Sequence, residues 1–221
     1  MTDAREKYQE LLVRFEEQAN AEQASRMAAY MKNHFPFYGV QTPIRRTLYR
    51  DIIIADKKNG KIDWDLLNLV WSQEKRELHY FVCDYLKGLH KFLSYDDVPL
   101  ILTFAKSNQW WDTIDHFDRI LGNISDDRIP SLMLELSQSE DFWLRRIAID
   151  HQLGRKDKTD TALLEEIITN NFGSKEFFIN KAIGWSLRDY SKVNPDWVRD
   201  FVITYQEDLA PLSFREASKY I

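Results

Sequence analysis

The chain has 221 residues, an apolar fraction of 44% and a formal net charge of −5, which suits one large folded domain or a repeat array and argues against a protein that is basic over its whole surface. A single cysteine, Cys83, excludes an internal disulfide framework and a multi-cysteine zinc site, and the five histidines form no ligand pair at metal-binding spacing. Neither a metal nor a cofactor is expected.

In chain order, Met1 to Asn20 is charged and helical in pattern, unlike a signal sequence, and no apolar run approaches bilayer-spanning length. A cytoplasmic protein with no membrane contact is predicted. Between Gln23 and Arg50 there is no Asp or Glu, yet the stretch carries Arg26, Lys32, Arg45, Arg46 and Arg50 among Tyr30, His34, Phe35, Phe37 and Tyr38. A basic, aromatic-interleaved segment in an acidic chain is a candidate polyanion contact. Thr42-Pro43 predicts a helix start with Thr as N-cap, Asp63 predicts a second N-cap, and Asn194-Pro195 opens a helix near the C-terminus. Cys83 sits in an apolar helical pattern and reads as a buried thiol; His151 falls on the apolar arc of its helix and reads as a core histidine.

Apolar residues recur at helical spacing nearly everywhere, and glycines fall near the expected helix ends, so the fold class is all-α over a single domain, residues 1–221. Ser72-Gln73-Glu74, Ser107-Asn108-Gln109, Gln138-Ser139-Glu140 and Gly173-Ser174-Lys175-Glu176 each follow an apolar helix. Their spacing of roughly 32 to 35 residues lies in the range of helical repeats. Stacked pairs of this kind build a curved α-solenoid with a concave surface. An irregular helical bundle also fits the pattern.

Two helices carry candidate site residues. On a wheel of about 100° per residue, Trp110, Ile114, Phe117 and Leu121 share an apolar arc, while Trp111 and Asp115 fall together on its flank, one turn apart. Trp110 is therefore expected to be buried and Trp111 to open toward a concave face. A carboxylate beside an indole suits a cationic or flat ligand; on the pattern alone, a half-buried helix-start residue beside a solvated charge is the simpler reading. After Ser174, Ile179, Ile183, Leu187 and Tyr190 form a core seam, with Phe178, Lys181, Trp185 and Arg188 on the other side. Aromatics laced with cations are the makings of a nucleic-acid groove, although a two-layered stack buries both faces. Arg146 reads either as an i,i+4 surface partner of Asp150 or as an arginine presented to a phosphate.

Taken together, several blocks resemble the AlkD-type DNA alkylation repair enzymes, alkylpurine DNA glycosylases built from HEAT-like helical repeats. They are Met27 to Phe35, Gly39 to Pro43 with Arg45-Arg46, Trp110-Trp111-Asp112 with Asp115, and Trp143-Leu144-Arg145-Arg146. Toward the C-terminus they continue with Ser174 to Ile179, Lys181 to Trp185 with Leu187-Arg188, and Leu209 to Ser213 with Arg215-Glu216-Ala217. The resemblance spans nearly the whole chain. It implies a C-shaped solenoid holding duplex DNA in a basic concave groove, acting as a monomer and associated with the nucleoid when bound. The implied activity is hydrolysis of the N-glycosidic bond of cationic N3- and N7-alkylated purines, without base flipping. By position, Asp115, Trp111 and Trp185 match the family's catalytic cleft, and Arg146 a groove arginine beside it. Gln41, Tyr30, Lys32, Arg45, Arg46, Phe177, Phe178, Lys181 and Arg188 match or adjoin DNA-facing positions. The acidic balance departs from the family pattern. A non-catalytic DNA-structure binder and a protein-binding scaffold are the rival readings; the Trp111, Asp115, Arg146 and Trp185 set argues for the enzyme.

Overall fold

The computed structural model describes residues 3–221, which form helices, turns and loops with no β-strand among them. The chain divides into two compact units, Met1–Leu93 and Ser94–Ile221. The first contains α1 (Ala4–Glu17), α2 (Ala21–Tyr30), α3 (Thr42–Leu48), α4 (Arg50–Asn59), α5 (Trp64–Trp71) and α6 (Arg76–Gly88). Helix α1 buries Leu11 and Phe15, spaced one turn apart, and packs on α3 and α5. Its Lys7 Nζ lies 2.8 Å from both Asp56 and Asp63, tying α1 to α4 and to the start of α5. Asp63 is the expected N-cap, accepting the Leu66 N–H. The cap of α3 falls one residue earlier than the Thr-Pro pattern predicts. Gln41 holds the extended cap position and Thr42 is already helical, because Pro43 needs no donor partner anywhere in the first turn.

The second unit contains α7 (Val98–Ala105), α8 (Trp111–Gly122), α9 (Ile129–Ser137), α10 (Phe142–Asp150), α11 (Thr161–Thr169), α12 (Phe177–Ser191), α13 (Pro195–Thr204) and α14 (Pro211–Ala217). The three expected breaks here fall in the connections α7–α8, α9–α10 and α11–α12; the fourth separates α5 from α6 in the first unit. Helices α8, α10, α12 and α14 pack on one another in succession, and α9 packs on α11. Side-chain hydrogen bonds join equivalent places in successive pairs. Gln109 Nε2 donates to Asp141 at 2.6 Å, Asn171 Nδ2 to the Ser137 carbonyl at 3.1 Å, and Ser213 Oγ to the Asn180 carbonyl at 2.8 Å. These partners are 32, 34 and 33 residues apart, close to the spacing of the weak repeat in the sequence.

Two glycines set how closely the stacked helices approach. A Cβ on Gly122 of α8 would lie 2.3 Å from the His151 carbonyl oxygen, and one on Gly184 of α12 would lie 2.5 Å from Glu216 Cβ. Gly122→Ala is therefore expected to push α8 from the end of α10 and to destabilise the protein by about 1–3 kcal/mol, the usual cost of overpacking. Denaturant titration reads this as a lower midpoint; an unchanged midpoint would show that the contact relaxes freely.

Cys83 and His151 are buried as expected. His151 Nδ1 lies 2.6 Å from the Ala148 carbonyl, and burial pulls its imidazole down to about 4, so it is neutral in the core. Among the described residues no helix is long and apolar enough to cross a membrane.

Candidate active site

Helix α8 begins at Trp111 because Trp110 is fully extended, with φ −162° and ψ 159°. This places Trp111 in the first turn and Asp115 in the next, on the same side of the helix. Both are half-buried. Trp110 differs from expectation: it is half-buried rather than buried, since as the cap residue it lies outside the helical register that defined the apolar arc. Its ring meets Trp143 and Phe178 edge-on, at 5.8 and 5.4 Å between centroids, in an aromatic cluster across α8, α10 and α12.

Asp115 is clamped by an arginine from the next repeat. Arg146 Nε and Nη2 lie 2.8 and 3.0 Å from its two carboxylate oxygens, the paired geometry that only a guanidinium provides. The third face of the guanidinium donates to the Phe178 carbonyl at 2.7 Å, and Nη2 lies 3.5 Å from Asp150. The Arg146 side chain is 2% exposed, whereas Asp115 retains 20%. Burial works against the Arg146 charge, but Asp150 and Asp115 outweigh it and hold the guanidinium more firmly protonated than usual. Arg146 is thus neither a surface partner of Asp150 nor, as it sits, an arginine held out to phosphate. It orients Asp115 and leaves that carboxylate's open edge to solvent.

Trp185 of α12 joins the same constellation. The Arg146 guanidinium lies 5.4 Å from its ring centroid, Lys181 Nζ 5.5 Å and the Arg188 guanidinium 6.0 Å, so three cations border one indole. Lys181 and Arg188 also converge on Glu216 of α14, Lys181 at 2.8 Å, with Lys219 as a third partner. Lys181 and then Lys219 bring the Glu216 carboxyl down to about 2. These cations therefore face a carboxylate of the protein rather than standing free, while three positive charges around one negative leave a local surplus of positive charge.

Phe177 is exposed, and Phe178 belongs to the aromatic cluster beneath Arg146. In the first unit Tyr30 is 73% exposed and, with Met27, Met31, Phe37 and Tyr80, lines a shallow hollow of about 210 Å³. Lys32 is exposed in a left-handed turn, and Gln41 is exposed at the head of α3. Arg46 is exposed beside Asp84 at 3.2 Å. Arg45, expected with the DNA-facing cations, is instead buried: its guanidinium lies over the Tyr80 ring at 4.4 Å, and Nε donates to the Tyr49 hydroxyl. Apolar cover on α3 and α6 wins because an arginine stem packs well and its head finds aromatic and acidic partners there.

Three acidic residues were not singled out by sequence reasoning. Glu77 of α6 is fully buried and accepts the backbone N–H groups of Tyr38, Gly39 and Val40 at 3.0, 2.8 and 3.1 Å, which fixes the segment leading into Gln41. No local pattern announces such a long-range cap. Glu216 lies inside the Arg-Glu-Ala block, and Asp118 follows Asp115 by three residues, a spacing that shares a helix face. Asp115, Asp118 and Asp150 bring carboxylate oxygens within 4.8 Å of one another. The Arg146 guanidinium already spans Asp115 and approaches Asp150, so a metal ion there would have to displace the protein's own cation. The donor set suits arginine better than a divalent ion.

An acid oriented by a buried arginine thus lies next to a tryptophan bordered by cations, on helices of an all-helical unit that pack on one another in succession. The family model described as DNA alkylation repair enzyme matches residues 11–221. A solved structure described as a predicted DNA alkylation repair enzyme from Enterococcus faecalis is 32% identical, with a TM-score of 0.84 over 92% of this chain and 96% of that one. No curated protein matches the chain. The chain belongs to the DNA alkylation repair enzyme family, and that membership implies DNA as its substrate.

Proposed function

We propose that the protein is a DNA glycosylase that hydrolyses the N-glycosidic bond of cationic N3- and N7-alkylated purines in duplex DNA. The observation that carries this reading is the Asp115–Arg146 clamp beside Trp185, in a chain of the alkylation repair family. An alkylated purine is positively charged and leaves without a general acid, so one carboxylate suffices where neutral glycosides usually require two. Cleavage develops positive charge on the deoxyribose. Asp115, held in one orientation by two hydrogen bonds, stabilises that centre and positions the attacking water. Trp111 and Trp185 offer π-faces to the cationic nucleotide. The excess of cations around Glu216 supports phosphate contact by Lys181 and Arg188, which would exchange Glu216 for the backbone, and Tyr30, Lys32, Gln41, Arg46 and Phe177 are exposed for further contacts. Arg45 and Arg146 act instead from within the protein.

In the same reading the stacked pairs of Ser94–Ile221 are part of a solenoid that engages duplex as a monomer, and the target base is not flipped into a pocket. The experiment is incubation with duplex carrying one 7-methylguanine, scored for an abasic site by strand scission. Release of the base from this duplex, with uracil-containing duplex left intact, is the expected result. Duplex binding without release would favour a non-catalytic DNA binder, and neither binding nor release would overturn the reading altogether.

A further inference from the structure

Beneath the Asp115–Arg146 pair lie two carboxyls that the proposed chemistry does not use. Asp118 of α8 and Asp150 at the end of α10 are each 1% exposed. Two guanidiniums face them. Arg146 approaches Asp150 at 3.5 Å, and Arg119 Nη1 lies 3.1 Å from Asp118 while also donating to the Asp115 carbonyl. From α12, Ser186 Oγ lies 3.1 Å from Asp150 and 2.8 Å from the Ile149 carbonyl. Three carboxyls against two guanidiniums leave one negative charge in excess where water hardly reaches. A buried excess charge is relieved by taking up a proton.

The partners decide which carboxyl takes it. Asp115 has the paired Arg146 bonds and an open edge to solvent. Asp150 has the Ser186 hydroxyl and Arg146 at 3.5 Å; burial pushes its carboxyl up to about 6, so above that pH it is ionised. Asp118 relies on the Arg119 backbone N–H and on a guanidinium that is itself 45% exposed. We propose that Asp118 is a positioning residue that stays protonated beneath the site, leaving the Arg146 guanidinium to Asp115 and Asp150. Burial pushes the Asp118 carboxyl well above the usual carboxylate range, Arg119 pulls it back, and Asp150 and Asp115 push it up again. Were Asp118 ionised, a third negative charge within 4.8 Å would draw on Arg146 and repel Asp115. The inference rests on the reading of Asp115 as the group that stabilises the cationic transition state.

The test compares wild type with Asp118→Asn, whose amide imitates the neutral acid at every pH. Single-turnover release of 7-methylguanine is followed from about pH 6 to about pH 9, alongside thermal unfolding without DNA. Wild-type excision is expected to fall relative to the variant's as pH rises through the Asp118 carboxyl, beyond any fall that both share because 7-methylguanine loses its own N1 proton in this range. For a carboxyl whose folded pKa is raised, stability is fully present below the unfolded value of about 3.9 and is lost as pH rises through the folded value. The variant should therefore gain on wild type as pH rises, by about 2–4 °C or more in Tm. A ratio of wild-type to variant rates that stays constant while the carboxyl titrates, or melting curves whose difference does not change with pH, would overturn the proposal. Excision by neither protein, with the melting gap intact, would overturn the glycosylase reading while supporting a neutral Asp118. If the variant does not fold, the carboxyl carbon resonance of wild-type Asp118 decides: titration within the ordinary range near pH 4 overturns the proposal, and titration above about pH 6 supports it.

Discussion

Asp115→Asn is expected to lower single-turnover excision of 7-methylguanine by about 10²- to 10³-fold, the usual scale for losing one preorganised electrostatic group. The amide keeps the shape of the acid, and its oxygen still accepts one Arg146 N–H. It lacks the charge that would stabilise a developing oxocarbenium centre, and it sets its own N–H₂ against the second Arg146 donor at the place of a 3.0 Å hydrogen bond. Affinity for undamaged duplex should change little, because a carboxylate repels phosphate if it interacts at all. A wild-type rate in this variant would overturn the mechanism and leave the fold untouched. Loss of duplex binding in step with loss of excision would recast Asp115 as part of the binding surface.

Arg146→Ala should be the most destabilising single change in the site. It strands Asp115, Asp150 and the Phe178 carbonyl together, beneath a side chain that is only 2% exposed. Breaking a buried ion pair by removing one partner costs about 3–5 kcal/mol, with the lower end fitting Asp115's remaining access to water. For a chain of this size that is a fall of about 6–12 °C or more in Tm. Arg146→Lys should recover part of the stability and little of the excision, since one ammonium cannot span both carboxylate oxygens. The double variant Arg146→Ala with Asp115→Asn should be less destabilised than the two single effects summed, because the neutral amide no longer needs its cation. If Arg146 acted by holding a phosphate, its removal would instead weaken duplex binding, flatten the salt dependence and leave Tm nearly unchanged.

Apolar spacing along the chain was enough to determine the all-helical class, the four breaks between paired helices and the Ile179, Ile183 and Leu187 core face of α12, whereas Tyr190, expected with them, is only half-buried. Those features depend on which side of a helix each residue occupies, and residues three and four apart settle that locally. It also placed Trp111 and Asp115 on one flank of α8. Trp110 escaped the reading because it precedes the helix and so lies outside the wheel that grouped it with Ile114 and Phe117. The partners of the charges were decided only by the tertiary structure. Within the sequence, Asp150 looks like Arg146's natural partner at one turn's distance, yet the paired bonds go to Asp115, 31 residues away. Lys181 and Arg188 likewise meet Glu216 from 35 and 28 residues away, and Arg45 turns inward to Tyr80 and Tyr49. A long flexible cation can reach many acids. Which one it reaches depends on how closely neighbouring helices approach, and contacts such as Gly122 against His151 and Gly184 against Glu216 set that distance.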